Sequence, residues 1–261
     1  ETFVVGYFDD ARTGMESWAG TVAKVLGIKL PPLPTVYCTW YHAGSSSEEK
    51  LPVQAAFAAK TFAPFGFSVV QIDDGWQDGQ TKNGPRKNFT QVRPDVPYKS
   101  GMKVTADRIR ALGLVPGIWL MPFSGSHEDP WYKYHQDWFA KRDDGKPHES
   151  PWGGTALDMS NPAVLKYLKN EINRIVKEWG YGYLKMDGLC SGAAVNHCYV
   201  NDAYKDDKIG DAVLFNPEKT NIEAYRDGLR LIRKTAGRDT FILGCCTPQN
   251  MRSYGCPFGM V

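Results

Sequence analysis

The 261-residue sequence predicts an α/β fold, a (β/α)8 barrel of the TIM type of which this chain supplies about five of the eight strands. Three observations lead there. Short β-like runs recur, each followed by a helical pattern; chemically active residues sit at the C-terminal ends of those runs; and nucleotide-binding signatures are missing. The runs are "TVYCTW" (35–40), "FSVVQIDD" (67–74), "LVPGIWLM" (114–121), "YLKMD" (183–187) and "FILGCC" (241–246). Such alternation argues for parallel strands joined by crossover helices. An open doubly wound sheet also fits the rhythm, but it would carry its phosphate-binding G-x-G-x-x-G turn or a P-loop, and neither is present. Polar residues at strand ends favour the barrel, whose chemistry lies on that face.

The helices between the runs are punctuated. Ser160 and Asn161 can cap a helix with Pro162 in its first turn, and Leu165, Leu168, Ile172, Ile175 and Trp179 follow at helical spacing until Gly180. Asn216-Pro217 is expected to open another, through Ile222, Tyr225, Leu229 and Ile232 to a stop near Gly237. Residues 104–113 and the segment after "SSSEEK" (45–50) repeat the device. Long insertions at 75–103 and 121–155 use up chain length, so 35–261 reads as the N-terminal part of a catalytic barrel. The chain stops in the apolar run "CPFGMV", and about three barrel strands are expected beyond Val261. Residues 1–34, with the Pro-rich "LPPLP", read as a linker and lead-in helix out of a preceding domain.

Lys+Arg number 31 against 29 Asp+Glu, which gives no electrostatic case for nucleic acid or an anionic membrane surface. No run of about 18 apolar residues is present, and the N-terminus lacks the flank and core of a signal peptide. The cysteines at 38, 190, 198, 245, 246 and 256 form no C-x-x-C pair and no metal-ligand spacing; Cys190 and Cys198 are placed either to close a small disulfide loop or to remain thiols. Neither a metal nor a cofactor is expected. Asn88-Phe89-Thr90 matches a glycosylation sequon.

Two clusters carry chemistry. Lys185 and Asp187 lie two apart on a strand and share a face, so Lys185 is expected to keep Asp187 ionised as a nucleophilic carboxylate. A buried structural ion pair is the competing reading, and it would cost desolvation energy. In "QIDDGW" (71–76), Asp73 and Asp74 point to opposite sides, one toward the barrel mouth and one into the loop, where acceptor-only groups suit hydroxyl binding. Trp119 and Trp40, at the ends of their runs, fit the walls of a sugar site. Asp158 in "ALDMSNP" either orients its loop or contacts substrate, and Cys245 and Cys246 shape the pocket as small strand-end residues. The histidines at 42, 127, 135, 148 and 197 form no recognisable pairing with a serine or cysteine nucleophile.

Together "PPLPTVYCTWY", "QIDDGWQ", "GLVPGIWLMPF", "LDMSNP", "YLKMDG" and "GCCTPQNMRSYG" resemble the melibiase clan: glycoside hydrolase family 36 α-galactosidases, their family 27 relatives and raffinose synthase-like proteins. The likeness runs from about Pro31 to the end. It implies a retaining α-glycosidase acting on terminal α-linked galactose or a related sugar of an oligosaccharide or glycoconjugate. Asp187 would be the nucleophile, Lys185 would contact the sugar, Asp73 and Asp74 would bind its hydroxyls, and Trp119 would line the pocket. Transfer to another sugar, or carbohydrate binding without catalysis, are the alternatives on the same barrel. The resemblance implies an N-terminal β-sandwich before residues 1–34 and an acid/base Asp on a strand after "GCCTPQN", expected beyond Val261. A glycan-degrading role suits a secreted, periplasmic or lysosome-like setting more than the cytoplasm, and homo-oligomerisation stays open.

Overall fold

A computed structural model of the chain describes residues 5–42, 47–94, 97–195, 209–248 and 251–261. Five parallel strands form one sheet in chain order: β1 (Thr35–Cys38), β2 (Phe67–Ile72), β5 (Val115–Leu120), β9 (Tyr183–Met186) and β10 (Phe241–Gly244). A helix crosses between each consecutive pair: α2 (Lys50–Thr61), α3 (Met102–Ala111), α4 (Pro162–Asn173) and α5 (Asn221–Ala236). Each new strand adds beside the last, as in a (β/α) barrel, and all five expected strands are present. An earlier helix, α1 (Ala11–Val25), is capped by Asp10 and buries none of its residues.

The expected insertions hold small antiparallel ribbons. β3 (Gln77–Asp78) pairs with β4 (Asn88–Val92), and β8 (Gly154–Ala156) lies between β6 (Ser124–Gly125) and β7 (Glu149–Ser150). Asn88 is buried, and its Oδ1 accepts from the backbone N–H and hydroxyl of Thr90. The sequon is thus folded inward rather than offered on a surface loop.

Local signals account for the helix ends. Asn161 caps α4 by accepting from the Ala163 N–H, with Pro162 in the first turn. After Asn173 the chain winds as a π-helix, Arg174–Glu178. There the Arg174 guanidinium donates to the carbonyls of Phe89 and Thr90, pairs with Glu171, and lies 4.7 Å over the Trp179 ring. That cluster clamps β4 to the helix layer.

α5 departs from the expected start. Asn216 does not open the helix; its side chain accepts from the Glu218 N–H, and its own N–H donates to Ser160. The helix begins after Thr220, which forms a reciprocal capping box with Glu223. Thr220-x-x-Glu223 satisfies two otherwise unpaired groups at the helix terminus, whereas Asn216-Pro217 satisfies a turn. The remaining periodicity holds, with Tyr225, Leu229 and Ile232 buried and Gly237 at the C-terminus.

One apolar cluster joins sheet and helices, from Val70, Ile118 and Leu184 on the strands to Leu168, Ile172, Leu229 and Ile232 on the helices. Trp76, Phe89 and Trp119 extend it toward the C-terminal strand ends, with ring centroids 5.8 Å and 5.9 Å apart along the series. Among the described residues no helix is long and apolar enough to cross a membrane.

Candidate active site

The C-terminal end of the sheet brings together most of the residues singled out in sequence. Trp119 on β5, Lys185 on β9 and Leu243 on β10 share one register level. The ladder runs one residue further on each side: Asp187 N–H donates to Leu120 O at 2.8 Å, and Cys245 N–H to Met186 O at 2.8 Å. Asp187 is thereby fixed between the ends of β5 and β10. Below it, Gly117 leaves room for its neighbours, since a Cβ there would lie 2.9 Å from both the Gln71 Cβ and the Tyr183 ring.

Lys185 does not pair with Asp187. Its ammonium donates to Asp73 Oδ2 at 2.8 Å, two strands away, and both groups are buried, at 7% and 4% exposure. Reach explains the difference: β9 and β2 are two strand spacings apart, about 10 Å, which a lysine stem and an aspartate span together. The same Asp73 oxygen accepts from Gln71 Nε2 at 2.9 Å and the Cys38 thiol at 3.2 Å, while its backbone N–H donates to Thr39 Oγ1. Burial alone would raise the Asp73 pKa, but the bonds from Gln71 and Lys185 outweigh it and hold the carboxyl below its ordinary value. For Lys185 burial opposes the charge, and the Asp73 bond and charge more than reverse that, raising its pKa. Burial and the nearby Asp73 push the Cys38 thiol up to about 11.

Asp187 takes its bonds elsewhere. Oδ2 accepts from the Trp119 indole N–H at 3.0 Å, and Oδ1 from the Gly188 N–H at 2.8 Å. Trp119 is buried, so it meets the site through its N–H rather than as an open stacking face; its own carbonyl accepts from Trp76 Nε1 at 2.8 Å. Gly188 has φ 57°, and a Cβ there would come 2.7 Å from Met121 Cε and 3.4 Å from the Trp152 ring. The Cys245 and Cys246 sulfurs lie within 4.8 Å of each other, and their mutual interaction lowers the Cys245 pKa and, with burial, raises that of Cys246. Both sulfurs also lie within 4.8 Å of an Asp187 carboxylate oxygen.

Asp74 turns away from this pair into the loop. It accepts from Gln77 Nε2 at 2.6 Å, and burial raises its pKa against that bond. Nearby, the buried Lys87 ammonium donates to the carbonyls of Asn83 at 2.9 Å and Pro85 at 2.8 Å. Burial lowers its pKa to about 8, opposed by the charges of Asp74 and Glu149.

Sequence reasoning missed several neighbours. Gln71 and Cys38 bind Asp73; Tyr41 places its ring 6.0 Å from the Lys185 ammonium. Gln71 was visible as the i−2 partner of Asp73 on one strand face. Trp152 gave no such signal: it sits in a loop at φ 60°, 41% exposed, with its ring against Gly188. Two expected contributors stand apart from the cluster's bonds. Asp158 accepts from Ser160 N–H at 2.8 Å and Ser160 Oγ at 2.6 Å through one oxygen, and from Phe215 N–H at 2.6 Å through the other, so both order its loop. Trp40 follows β1 in a short 3-10 turn with its side chain half exposed. Of the histidines, His127 meets Thr155 at 2.9 Å, His148 meets Gly210 O at 2.9 Å, and His135 stacks on Trp138. His197 and Cys198 lie outside the described residues.

Comparison with known proteins agrees with the barrel fold. The α-galactosidase TtGalA from Thermus thermophilus, solved with stachyose, superposes with a TM-score of 0.68 over 92% of this chain and 47% of its own, at 26% identity. In sequence, the chain is 26% identical over 129 residues to α-galactosidase AgaA of Geobacillus stearothermophilus, covering 49% of this chain and 17% of that protein. It is likewise 26% identical over 148 residues to the A type blood α-D-galactosamine galactosaminidase of Flavonifractor plautii, covering 51% and 13%. The chain thus spans less than a fifth of the length of these curated relatives. The melibiase family model matches residues 47–206, from the start of α2 past the strand that carries Lys185 and Asp187. With five consecutive barrel strands and that match over more than half its length, the chain belongs to the melibiase family.

Proposed function

We propose that these residues form the sugar-binding and nucleophile side of a retaining α-glycoside hydrolase acting on terminal α-linked galactose or a related sugar. Asp187 attacks the anomeric carbon, the glycosidic bond breaks, and water hydrolyses the covalent glycosyl–Asp intermediate with net retention. The observation that carries the reading is the setting of Asp187. It is a 7% exposed carboxylate at a barrel strand end, oriented by Trp119 and Gly188, while Lys185 pairs with Asp73 instead.

Each neighbour has a place in that chemistry. The Trp119 and Gly188 bonds aim the carboxylate while leaving lone pairs for attack. Asp73 and Lys185 present an acceptor and a donor to sugar hydroxyls, with Asp74 beyond them in the loop. Trp152 offers an aromatic wall beside Asp187, and a left-handed conformation in so bulky a residue is strain of the kind kept at functional sites. Stachyose and p-nitrophenyl α-galactopyranoside, bound by TtGalA, support galactose as the sugar. The proton donor a retaining mechanism needs is assigned to none of the described residues.

The test is hydrolysis of aryl α-glycosides by the intact gene product beside Asp187→Asn, with product anomers followed by NMR. The α-anomer as first product, with turnover lost in the isosteric variant, supports the reading. Wild-type rates in Asp187→Asn, or a β-anomer first product, overturn it.

A further inference from the structure

Beyond β10 the chain carries a second chemistry. Among the described residues, Asp187, Cys245 and Cys246 form the one trio of His, Cys, Asp or Glu whose ligand atoms lie within 4.8 Å of one another. Adjacent residues in a strand point to opposite faces, so neighbouring thiols ordinarily diverge. Here the strand has ended at Gly244, and Cys246 takes the left-handed conformation with φ 48°. Both sulfurs then converge on the Asp187 carboxylate. Access is open, since Cys246 is exposed and Cys245 half-buried.

Thiolates select zinc-like soft cations, and a carboxylate oxygen completes a mixed donor set. Bond lengths of about 2.3 Å to sulfur and about 2.1 Å to oxygen hold tetrahedral ligands roughly 3.5–3.8 Å apart, so small side-chain rotations close this trio on an ion. The charge balance is workable: two thiolates and a carboxylate face a divalent ion, and the nearby Lys185 charge is held by Asp73 at 2.8 Å. Sequence spacing could not reveal the site, because Asp187 and the cysteines come from different strands.

We propose that Asp187, Cys245 and Cys246 bind a thiophilic divalent cation of the zinc or cadmium class, with a fourth position open to water, and that the bound ion inhibits the enzyme by occupying Asp187. Binding releases two thiol protons to solvent, forms two metal–sulfur bonds and one metal–oxygen bond, and displaces water from the ion; nothing is oxidised or reduced. The inhibition rests on the nucleophile reading of Asp187, whereas the binding does not.

The experiment titrates the reduced, metal-free intact protein with Cd2+ and follows the thiolate-to-cadmium absorption band, beside Cys246→Ser and the Cys245→Ser/Cys246→Ser double variant, with folding checked by circular dichroism. A saturable band at one equivalent, at least ten-fold weaker in affinity in Cys246→Ser and lost in the folded double variant, supports the site. An undiminished band in the double variant, or no band in the wild type, overturns it. In the activity arm, Zn2+ inhibition reversed by a chelator and relieved at least ten-fold by Cys246→Ser supports inhibition through Asp187; Zn2+-insensitive turnover under saturating cation overturns that step. Failure of every α-glycoside to turn over would sink the hydrolase reading, and the absorption titration would still decide the site.

Discussion

Lys185 offers the sharpest test of how the site is wired. At 2.8 Å the Lys185–Asp73 pair has a gross attraction of about 6 kcal/mol at an effective dielectric constant near 20, much of it offset by desolvating two charges. Lys185→Met strands a 4% exposed carboxylate and is expected to cost about 3–5 kcal/mol. Adding Asp73→Asn removes that stranded charge, so the double variant should be more stable than additivity predicts, with a coupling of about 2–3 kcal/mol. Lys185→Met with Asp187→Asn should show a smaller coupling, since Lys185 donates to Asp73 and not to Asp187. The assay is urea unfolding of the intact protein near pH 7, where both charges are present. Asp73, with its lowered pKa, gives stability present above the ordinary carboxylate range and lost as pH falls through its folded value. Lys185, with its raised pKa, gives stability lost only in strong alkali. A stronger coupling of Lys185 to Asp187 than to Asp73 would refute the wiring.

Other outcomes follow from single contacts. Trp119→Phe keeps an aromatic ring but removes the 3.0 Å bond to Asp187; at about 1.5–3 kcal/mol for a bond to a charged group, kcat/KM should fall roughly 10- to 150-fold, and an unchanged value would contradict it. Trp152→Gly releases a left-handed tryptophan, so the urea midpoint should rise by the equivalent of about 1 kcal/mol while KM for aryl α-galactosides increases; a fall in both would contradict the strain argument. Burial raises the Glu171 pKa to about 7, against the pull of Arg174. The native state then holds a proton the unfolded state gives up near pH 4.5, so stability should decline as pH rises from there toward 7. Glu171→Gln should flatten that slope in a pH series of unfolding curves.

What the sequence revealed and what it concealed divide along the range of the interactions. The five strands and the α4 cap at Asn161 are local patterns, legible because a residue's face on a strand and its bond at a helix end depend on near neighbours. The start of α5 was misplaced because Asn216-Pro217 and Thr220-x-x-Glu223 are both local signals, and the reciprocal capping box satisfies more of the helix terminus. Placing Lys185 and Asp187 on one face was likewise local, but choosing the lysine's partner required knowing that β2 lies two strands from β9. Trp152 and the convergence of Cys245 and Cys246 depend on left-handed backbone in irregular segments, which no periodicity announces. Asp158 shows the reverse: its loop-ordering bonds to Ser160 are the short-range kind that aspartate makes in any turn.

The central claim is that Asp187 becomes covalently attached to the sugar. The most direct measurement incubates the intact protein with a fluorinated α-galactoside activated to form, but slow to release, the glycosyl-enzyme, then maps the labelled peptide by mass spectrometry. The account predicts one sugar per protein on the peptide containing residues 183–190, at Asp187, and no label in Asp187→Asn. Label on Asp73 or Asp74, or on any residue of the Asp187→Asn variant, would contradict it.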